Sequence, residues 1–90
     1  MAWRIEFVTS AEREFAKLDP QTAARVLRFL RDRVAVRDDP RTLARPLKGQ
    51  GPETYWRFRV GDYRLIAVID DDTVRVLVLR IGHRREVYDR

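Results

Sequence analysis

The chain is short and basic, since its 90 residues carry 19 Lys or Arg against 14 Asp or Glu, a formal net charge of +5. This length supports one hydrophobic core, so we predict a single domain over residues 1–90. The absence of cysteine excludes disulfides, cysteine nucleophiles and iron–sulfur clusters. The single histidine, His83, is too few for the usual catalytic zinc site, and we expect no metal and no other cofactor.

Charged residues near the start of the chain argue against a signal peptide, because residues 1–6 already contain Arg4 and Glu6. No segment approaches the roughly 18 consecutive apolar residues of a membrane span. The cysteine-free composition also suits a reducing compartment. We therefore expect a cytoplasmic protein with no membrane association.

The first predicted elements are a strand and a helix. Residues 2–8 alternate between apolar and polar side chains, which predicts a half-buried strand. The next residues offer a capping box, in which Thr9 and Glu12 satisfy the first backbone amides of a helix. This helix is predicted to end near Leu18, before an Asp-Pro pair.

A second helix is predicted to begin with Asp19 as its N-cap and Pro20 as its first residue, and to end at residues 38–40. Apolar side chains at helical spacing predict its buried face: Ala23, Val26, Leu27, Leu30 and Val34. The opposite face is charged and contains Arg25, Arg28, Asp32 and Arg33. This charged face is either a solvated helix surface or a basic surface that binds a polyanion.

The second half of the chain predicts strands. Residues 45–52 contain two prolines and two glycines and predict a loop. Alternating patterns then predict strands over residues 55–60 and 63–70, joined by a Gly61-Asp62 hairpin turn. Residues 74–81 are nearly all apolar and predict a strand in the interior of the sheet, which Gly82 ends. The order β-α-α-β-β-β predicts an α+β fold, a mostly antiparallel twisted sheet with the two N-terminal helices packed on one face.

The hairpin turn sets the position of three arginines. A two-residue turn places Arg59 opposite Arg64, and Arg57 then lies on the same face of the sheet, away from the helices. Like charges directly opposite each other destabilise a sheet by roughly 0.2 to 1 kcal/mol. An anion between them would remove this cost, so the pattern predicts an anion site.

The segment after the last strand, residues 82–88, adds His83, Arg84, Arg85 and Tyr88. Guanidinium groups bind phosphate oxygens in pairs of hydrogen bonds, and aromatic rings stack on unpaired bases. We therefore predict contacts with single-stranded nucleic acid, and the candidate RNA-binding residues are Arg59, Tyr55, His83 and Arg85. The alternative is that these are ordinary surface arginines and that Tyr88 belongs to a small satellite core.

Three segments carry a resemblance to a known family: residues 60–66 (Val-Gly-Asp-Tyr-Arg-Leu-Ile), the strand over residues 74–79, and residues 82–88 (Gly-His-Arg-Arg-Glu-Val-Tyr). They resemble the C-terminal half of RelE toxins, which belong to toxin–antitoxin pairs within the RelE/ParE superfamily. The opening strand, the helix pair and residues 47–49 fit the same family. The resemblance implies a RelE-like fold and a metal-independent, ribosome-dependent endoribonuclease that cleaves mRNA in the ribosomal A site and inhibits translation.

The resemblance also implies roles for individual residues. The basic strand positions of the family match Arg57 and Arg59, its Tyr-Arg arginine matches Arg64, its post-strand arginine matches Arg84, and its C-terminal tyrosine matches Tyr88. Arg57, Arg64, Arg84 and Tyr88 are thus the expected catalytic residues, and the three arginines would stabilise the charge of the transition state. Well-studied members have lysines on the first basic strand, and arginine is a poorer proton carrier. Whether His83 or Tyr88 transfers the proton stays open.

The expected partners are a cognate antitoxin, the ribosome and mRNA, with a monomeric toxin inside a toxin–antitoxin hetero-oligomer. Apolar residues beyond the needs of one core face would let an antitoxin helix dock on the sheet, unless the strands are covered on both faces: Ile66, Val68, Leu77 and Leu79. Two other functions remain: a ParE-like toxin that inhibits DNA gyrase, and a nucleic-acid-binding protein without catalysis.

Overall fold

The computed structural model describes residues 2–47 and 54–87, with the backbone alone for the last two of these. Tyr88, the expected catalytic tyrosine, lies outside the described residues. The elements are β1 Arg4–Phe7, α1 Thr9–Ala16, α2 Pro20–Phe29, a π-helical turn Leu30–Val34, a 3-10 turn Pro40–Leu43, β2 Ala44–Leu47, β3 Tyr55–Val60, β4 Tyr63–Asp70, β5 Arg75–His83 and α3 Arg84–Val87.

A five-stranded sheet, in the order β1-β5-β4-β3-β2, forms the framework of the molecule. The first strand is parallel to β5, and the other three pairs are antiparallel. The predicted α+β fold is confirmed, but the loop prediction for residues 45–52 is wrong at its start, because Ala44–Leu47 pairs with β3 as an edge strand. Pro46 has no backbone N–H to donate to a neighbouring strand, and an edge strand tolerates this. The same proline made residues 44–47 resemble a loop in the sequence.

The two main helices begin differently from each other. The predicted capping box of α1 is wrong, since Val8 is the N-cap, no side chain caps the helix and Thr9 is already helical. Val8 donates its N–H to Val78 O at 3.0 Å, which holds it in the extended conformation that an N-cap needs. In α2 the prediction is confirmed, because Asp19 accepts hydrogen bonds from the backbone N–H and the hydroxyl of Thr22, at 3.1 and 2.6 Å.

The core lies between the helices and one face of the sheet. Val26, Leu30 and Val34 are buried along α2 and its π-helical turn, where Ala35 N–H bonds to Leu30 O at 2.8 Å. Leu27 is 46% exposed, which corrects its assignment to the buried face, because it lies about 100° around the helix from its buried neighbour. Two edge-to-face ring pairs join helices to strands, Phe7 with Phe15 and Phe29 with Phe58.

The β3–β4 hairpin has the predicted two-residue turn, and Gly61 supplies the positive φ (59°) that this turn needs. The expectation that Gly82 ends the last strand is wrong, because β5 continues to His83. Gly82 lies opposite Arg64 on the same face of the sheet. Because glycine has no side chain, the Arg64 side chain has room on that face. In the part of the chain that the structure describes, no helix is long and apolar enough to span a membrane.

Candidate phosphate-binding site

Four predicted site residues meet at the turn of the β3–β4 hairpin. Arg59 and Arg64 are direct cross-strand partners, as the sequence predicted, and His83 lies opposite Tyr63 on the next strand. Arg84 follows immediately, and its backbone N–H donates to Asp62 O of the turn at 2.8 Å. The structure therefore gathers three arginines and the one histidine at one end of the sheet.

The end of β5 is held in place by α1. The pairing of β1 with β5 ends at Val78, and beyond that point the Glu14 side chain of α1 binds the edge of β5. One oxygen of its carboxylate accepts from Ile81 N–H at 2.7 Å, and the other accepts from Arg80 Nε at 3.2 Å. An uncovered edge amide is thereby satisfied, and the strand that carries His83 and Arg84 is fixed.

Arg64 is a buried cation, with 3% of its surface exposed. Its Nη1 donates to Gly61 O and to Tyr63 O, each at 3.0 Å. A guanidinium held by two backbone carbonyls stabilises the turn and keeps a fixed positive charge beneath it. The sequence had placed Arg64 on an open sheet face beside its neighbours, whereas the structure encloses it.

Arg57 is half-buried and lies two residues before Arg59 on β3. It pairs with Ile66 of β4 on one side and with Arg45 of β2 on the other. Cross-strand partners share a face, so Arg45 adds a further arginine to this face. Sequence analysis missed Arg45, because the proline that follows it indicated a loop and hid the strand.

His83 has a defined orientation. Its ring packs edge-to-face against Tyr63, with the centroids 5.6 Å apart, and its Nδ1 accepts the backbone N–H of Arg85 at 3.3 Å. This hydrogen bond and the ring contact fix the orientation of the imidazole. The side chains of Arg59, Arg84 and Arg85 are exposed.

Tyr55 lies apart from the hairpin turn. It pairs with Leu47 at the other end of β3, about 13 Å along the strand from Arg59. There it lines an open groove on the sheet face away from the helices, and we name this the sheet-face groove. Its floor contains Val68, Leu77 and Leu79, three of the four surplus apolar residues noted in the sequence.

The rim of the sheet-face groove is charged. Arg41, from the 3-10 turn, binds Asp71 at 2.7 Å and Asp39 at 3.1 Å, and its guanidinium lies 5.7 Å from the centroid of the Trp56 ring. The hydrogen bond to Asp71 is the main reason why the pKa of Arg41 is raised. The groove therefore combines an apolar floor with fixed charges, unlike the hairpin site.

The hairpin site is suited to an anion. Arg59 and Arg84 have no carboxylate within 4.0 Å among the described side chains, those of residues 2–47 and 54–85, and the buried charge of Arg64 adds to theirs. The same residues contain no group of three or more His, Asp or Glu that could hold a metal ion. Concentrated guanidinium charge beside an oriented imidazole can bind a phosphate and stabilise added negative charge on it.

Comparisons with known proteins agree across the whole chain. The family model described as "ParE toxin of type II toxin-antitoxin system, parDE" matches residues 5–88. Toxin RelG of Mycobacterium tuberculosis is 33% identical over 90 residues, the full length of both chains. The toxin–antitoxin complex RelBE2 from the same organism superimposes with a TM-score of 0.82 at 31% identity, covering 93% of each chain.

More distant relatives share the fold. A chain of the archaeal RelE–RelB complex from Pyrococcus horikoshii gives a TM-score of 0.74 at 24% identity and covers 93% of this chain and 97% of its own. The isolated E. coli RelE toxin gives 0.71 at 24% identity and covers 97% and 92%. Both superpositions extend over most of the five-stranded sheet and its helices.

Proposed function

Because the chain belongs to the RelE family of toxins from type II toxin–antitoxin systems, we propose that it is a ribosome-dependent endoribonuclease that cleaves mRNA in the ribosomal A site. The observation that carries the proposal is the convergence of Arg59, Arg64 and Arg84 at one hairpin turn. A cut in the A site stops translation, which accounts for toxicity.

The proposed reaction is attack of an RNA 2'-hydroxyl on the adjacent phosphorus. The 2'-oxygen–phosphorus bond forms, the bond to the 5'-oxygen breaks, and the products are a 2',3'-cyclic phosphate and a free 5'-hydroxyl. The hydroxyl proton passes to a base, and the departing 5'-oxygen receives a proton. No metal takes part in this proposal.

The arginines would act on the phosphate. Arg84 is exposed at the turn and can contact a phosphate oxygen. Arg57 lies two residues before Arg59 on β3, on the same face of the sheet, and would contact the RNA farther from the turn. Arg64 would contribute a fixed positive charge beneath the turn. Because its side chain is buried, it could contact the substrate directly only if the surrounding residues moved. Removing one donor that stabilises the transition state costs about 100- to 1000-fold in rate.

Proton transfer has two candidates, His83 and Tyr88. The hydrogen bond from Arg85 N–H to Nδ1 holds the His83 ring in a fixed orientation beside the arginines. Arginine seldom loses its proton, so these side chains form a weak acid–base set. Positioning must then supply much of the rate enhancement, and a ribosome that holds the codon in the A site would provide it.

The test compares a translated mRNA with the same transcript free in solution. We expect the purified toxin to cut the mRNA on ribosomes and to leave the free transcript largely intact, with 5' ends mapped against the reading frame. Arg84→Ala should lower the rate of cutting about 100- to 1000-fold. Arg13→Ala, an exposed arginine on α1, is the matched control and should cut normally. Equal cutting of both forms of the RNA would contradict the proposal.

DNA gyrase, the expected target of a ParE-like toxin, is the second candidate, because the matching family model is described as a ParE toxin. The arginine-rich hairpin favours RNA, because a phosphate is the group that it would bind. A supercoiling assay with purified gyrase separates the two functions. We expect no inhibition at toxin concentrations that arrest translation.

We further propose that a cognate antitoxin covers the sheet-face groove and that the toxin is one monomer of a cytoplasmic hetero-oligomer. Two of the superimposed structures are toxin–antitoxin complexes. The apolar floor of Val68, Leu77 and Leu79 fits the nonpolar side of an amphipathic helix. The ribosome with its mRNA would be the partner of the free toxin.

A further inference from the structure

A second basic surface lies beside the hairpin, and apart from Arg59 its residues are not used in the proposed reaction. It is a groove between α2 and the β3–β4 hairpin, lined by Arg25, Arg28 and Arg33 of the helix region and by Arg59 of β3. We name it the arginine groove. Asp32 is the one carboxylate among its described lining residues. The groove contains the charged helix face that the sequence left as either solvated surface or polyanion site.

The arginines of this groove differ from others in the chain. Among the described side chains, five arginines lie within 4.0 Å of a carboxylate: Arg4, Arg31, Arg41, Arg75 and Arg80. The four groove arginines have no such partner in the described part of the chain. Asp32 is bound by Arg31 at 2.9 Å and also attracts Arg28 at longer range, so this one carboxylate faces several cations. The groove therefore holds a cluster of cations whose mutual repulsion an anion would relieve.

The arginine groove is continuous with the candidate phosphate site. The guanidinium of Arg25 lies against the hairpin turn, so close that a methyl group on Gly61 would be 2.7 Å from Arg25 Nη1. Arg64 binds the carbonyl of the same glycine, and Arg59 both lines the groove and pairs with Arg64. An RNA bound at the turn thus has further basic surface directly beside it.

Its dimensions suit an extended anion. Arg25 and Arg33 are about 12 Å apart along the helix axis, farther than one phosphate group can bridge. The apolar side chains that line the groove, Phe29, Leu43 and Val60, are buried or half-buried. A protein partner usually needs apolar anchors, and the molecule presents these in the sheet-face groove instead.

We infer that the arginine groove binds the phosphate backbone of folded ribosomal RNA and thereby anchors the toxin on the ribosome, while the hairpin site engages the mRNA. The inference rests on the proposed function. It assigns the affinity for the ribosome to Arg25, Arg28 and Arg33 and the cutting to the opposite end of the turn. Guanidinium groups suit this role because they bind phosphate in two parallel hydrogen bonds.

The test measures binding of the toxin to ribosomes that carry an mRNA with a 2'-deoxy residue at the cleavage position, so that no cutting occurs. Arg28→Gln combined with Arg33→Gln is compared with Arg13→Gln combined with Lys17→Gln, two exposed α1 residues with the same total charge change. We expect the groove variant to lose about 10- to 100-fold in affinity. The slope of log affinity against log salt should fall by about 2, whereas the control stays near wild type.

Each outcome has one meaning. If wild-type toxin cuts mRNA on ribosomes and the groove variant binds them like the control, the inference is wrong and the proposed function stands. If wild-type toxin cuts no mRNA, the proposed function fails, and the binding measurement still decides the groove. Loss of antitoxin affinity alone would assign the groove to a protein and overturn the inference. Circular dichroism melting verifies the fold of each variant, and Arg28→Lys with Arg33→Lys, which keeps the charge, should retain most of the salt slope.

Discussion

Arg59 and Arg64 are paired across the hairpin, yet they experience opposite environments. Arg59 is exposed and repelled by its partner, whereas Arg64 is enclosed and donates to two carbonyls of the turn. The same pair of like charges thus contains one residue that stabilises the fold and one that slightly destabilises it. Substitution of each should separate stability from activity.

We expect Arg64→Ala to lower the free energy of unfolding by about 1.5 to 3 kcal/mol, because it leaves the carbonyls of Gly61 and Tyr63 without their charged donor. Arg59→Ala should leave stability unchanged or raise it by up to about 1 kcal/mol, since it removes a cross-strand repulsion. Both variants should cut mRNA more slowly than wild type. Urea unfolding together with ribosome-dependent cleavage gives the two readouts, and equal stability of the two variants would contradict this assignment.

The sequence predicted the positions of these arginines only in part. The register that opposes Arg59 to Arg64 follows from a two-residue turn, and the structure confirms it. The enclosure of Arg64 was not predictable, because it depends on carbonyls whose direction is set by the positive φ of Gly61. Arg45 was missed altogether, since recognising it required the edge strand that Pro46 disguised.

At the scale of elements, α2 depends on its N-cap. Two hydrogen bonds from Thr22, first that from its hydroxyl and then that from its backbone, lower the pKa of Asp19 below its ordinary value. A carboxylate whose pKa is lower in the folded state stabilises the fold above its ordinary pKa and loses this effect as pH falls through the folded value. Part of the stability that the protein loses at acidic pH should therefore come from protonation of Asp19.

We expect Asp19→Ala to melt at a lower temperature than wild type at about pH 7, with the difference shrinking as pH falls below the ordinary pKa of an aspartate, about 4. Asp19→Asn keeps an oxygen that accepts from Thr22 N–H and should lose less stability at neutral pH. Thermal melts across this pH range measure both effects. A pH-independent difference between Asp19→Ala and wild type would show that the charge of the cap is not involved.

Elements differ in how far local sequence determines them. The Asp-Pro start of α2 and the Gly-Asp turn are decided by neighbouring residues, and both are confirmed. The start of α1 and the end of β5 are decided by distant pairings, Val8 with Val78 and Gly82 with Arg64. Local motifs predicted a capping box and a glycine stop at these places, and tertiary hydrogen bonds overruled them.

At the scale of the whole molecule, three surfaces would serve three partners. The hairpin site faces mRNA, the arginine groove faces ribosomal RNA and the sheet-face groove faces the antitoxin, in the functions proposed above. Two surfaces are basic, whereas the third has an apolar floor and a rim that includes Asp71. Substitution of the apolar floor should thus affect neutralisation and leave toxicity in place.

We expect Leu77→Lys to weaken antitoxin binding by about 100-fold or more, because it places a charge on the apolar floor of the sheet-face groove. Leu27→Lys is the matched control, since Leu27 is an exposed apolar residue on α2. Titration calorimetry with the purified antitoxin measures affinity, and growth after co-expression measures neutralisation. If Leu77→Lys is neutralised as fully as the control, the antitoxin binds elsewhere.

The parallel pairing of β1 with β5 has a consequence for the timing of folding. Arg75 of β5 binds Glu6 of β1 at 3.2 Å across 69 residues of sequence, so the sheet joins the beginning of the chain to almost its end. Contacts of such long range form late and slowly. During synthesis, β1 cannot pair until β5 has been made. The hairpin turn likewise lacks the hydrogen bond from Arg84 until that point. The hairpin site is therefore assembled only after β5 and Arg84 have been synthesised.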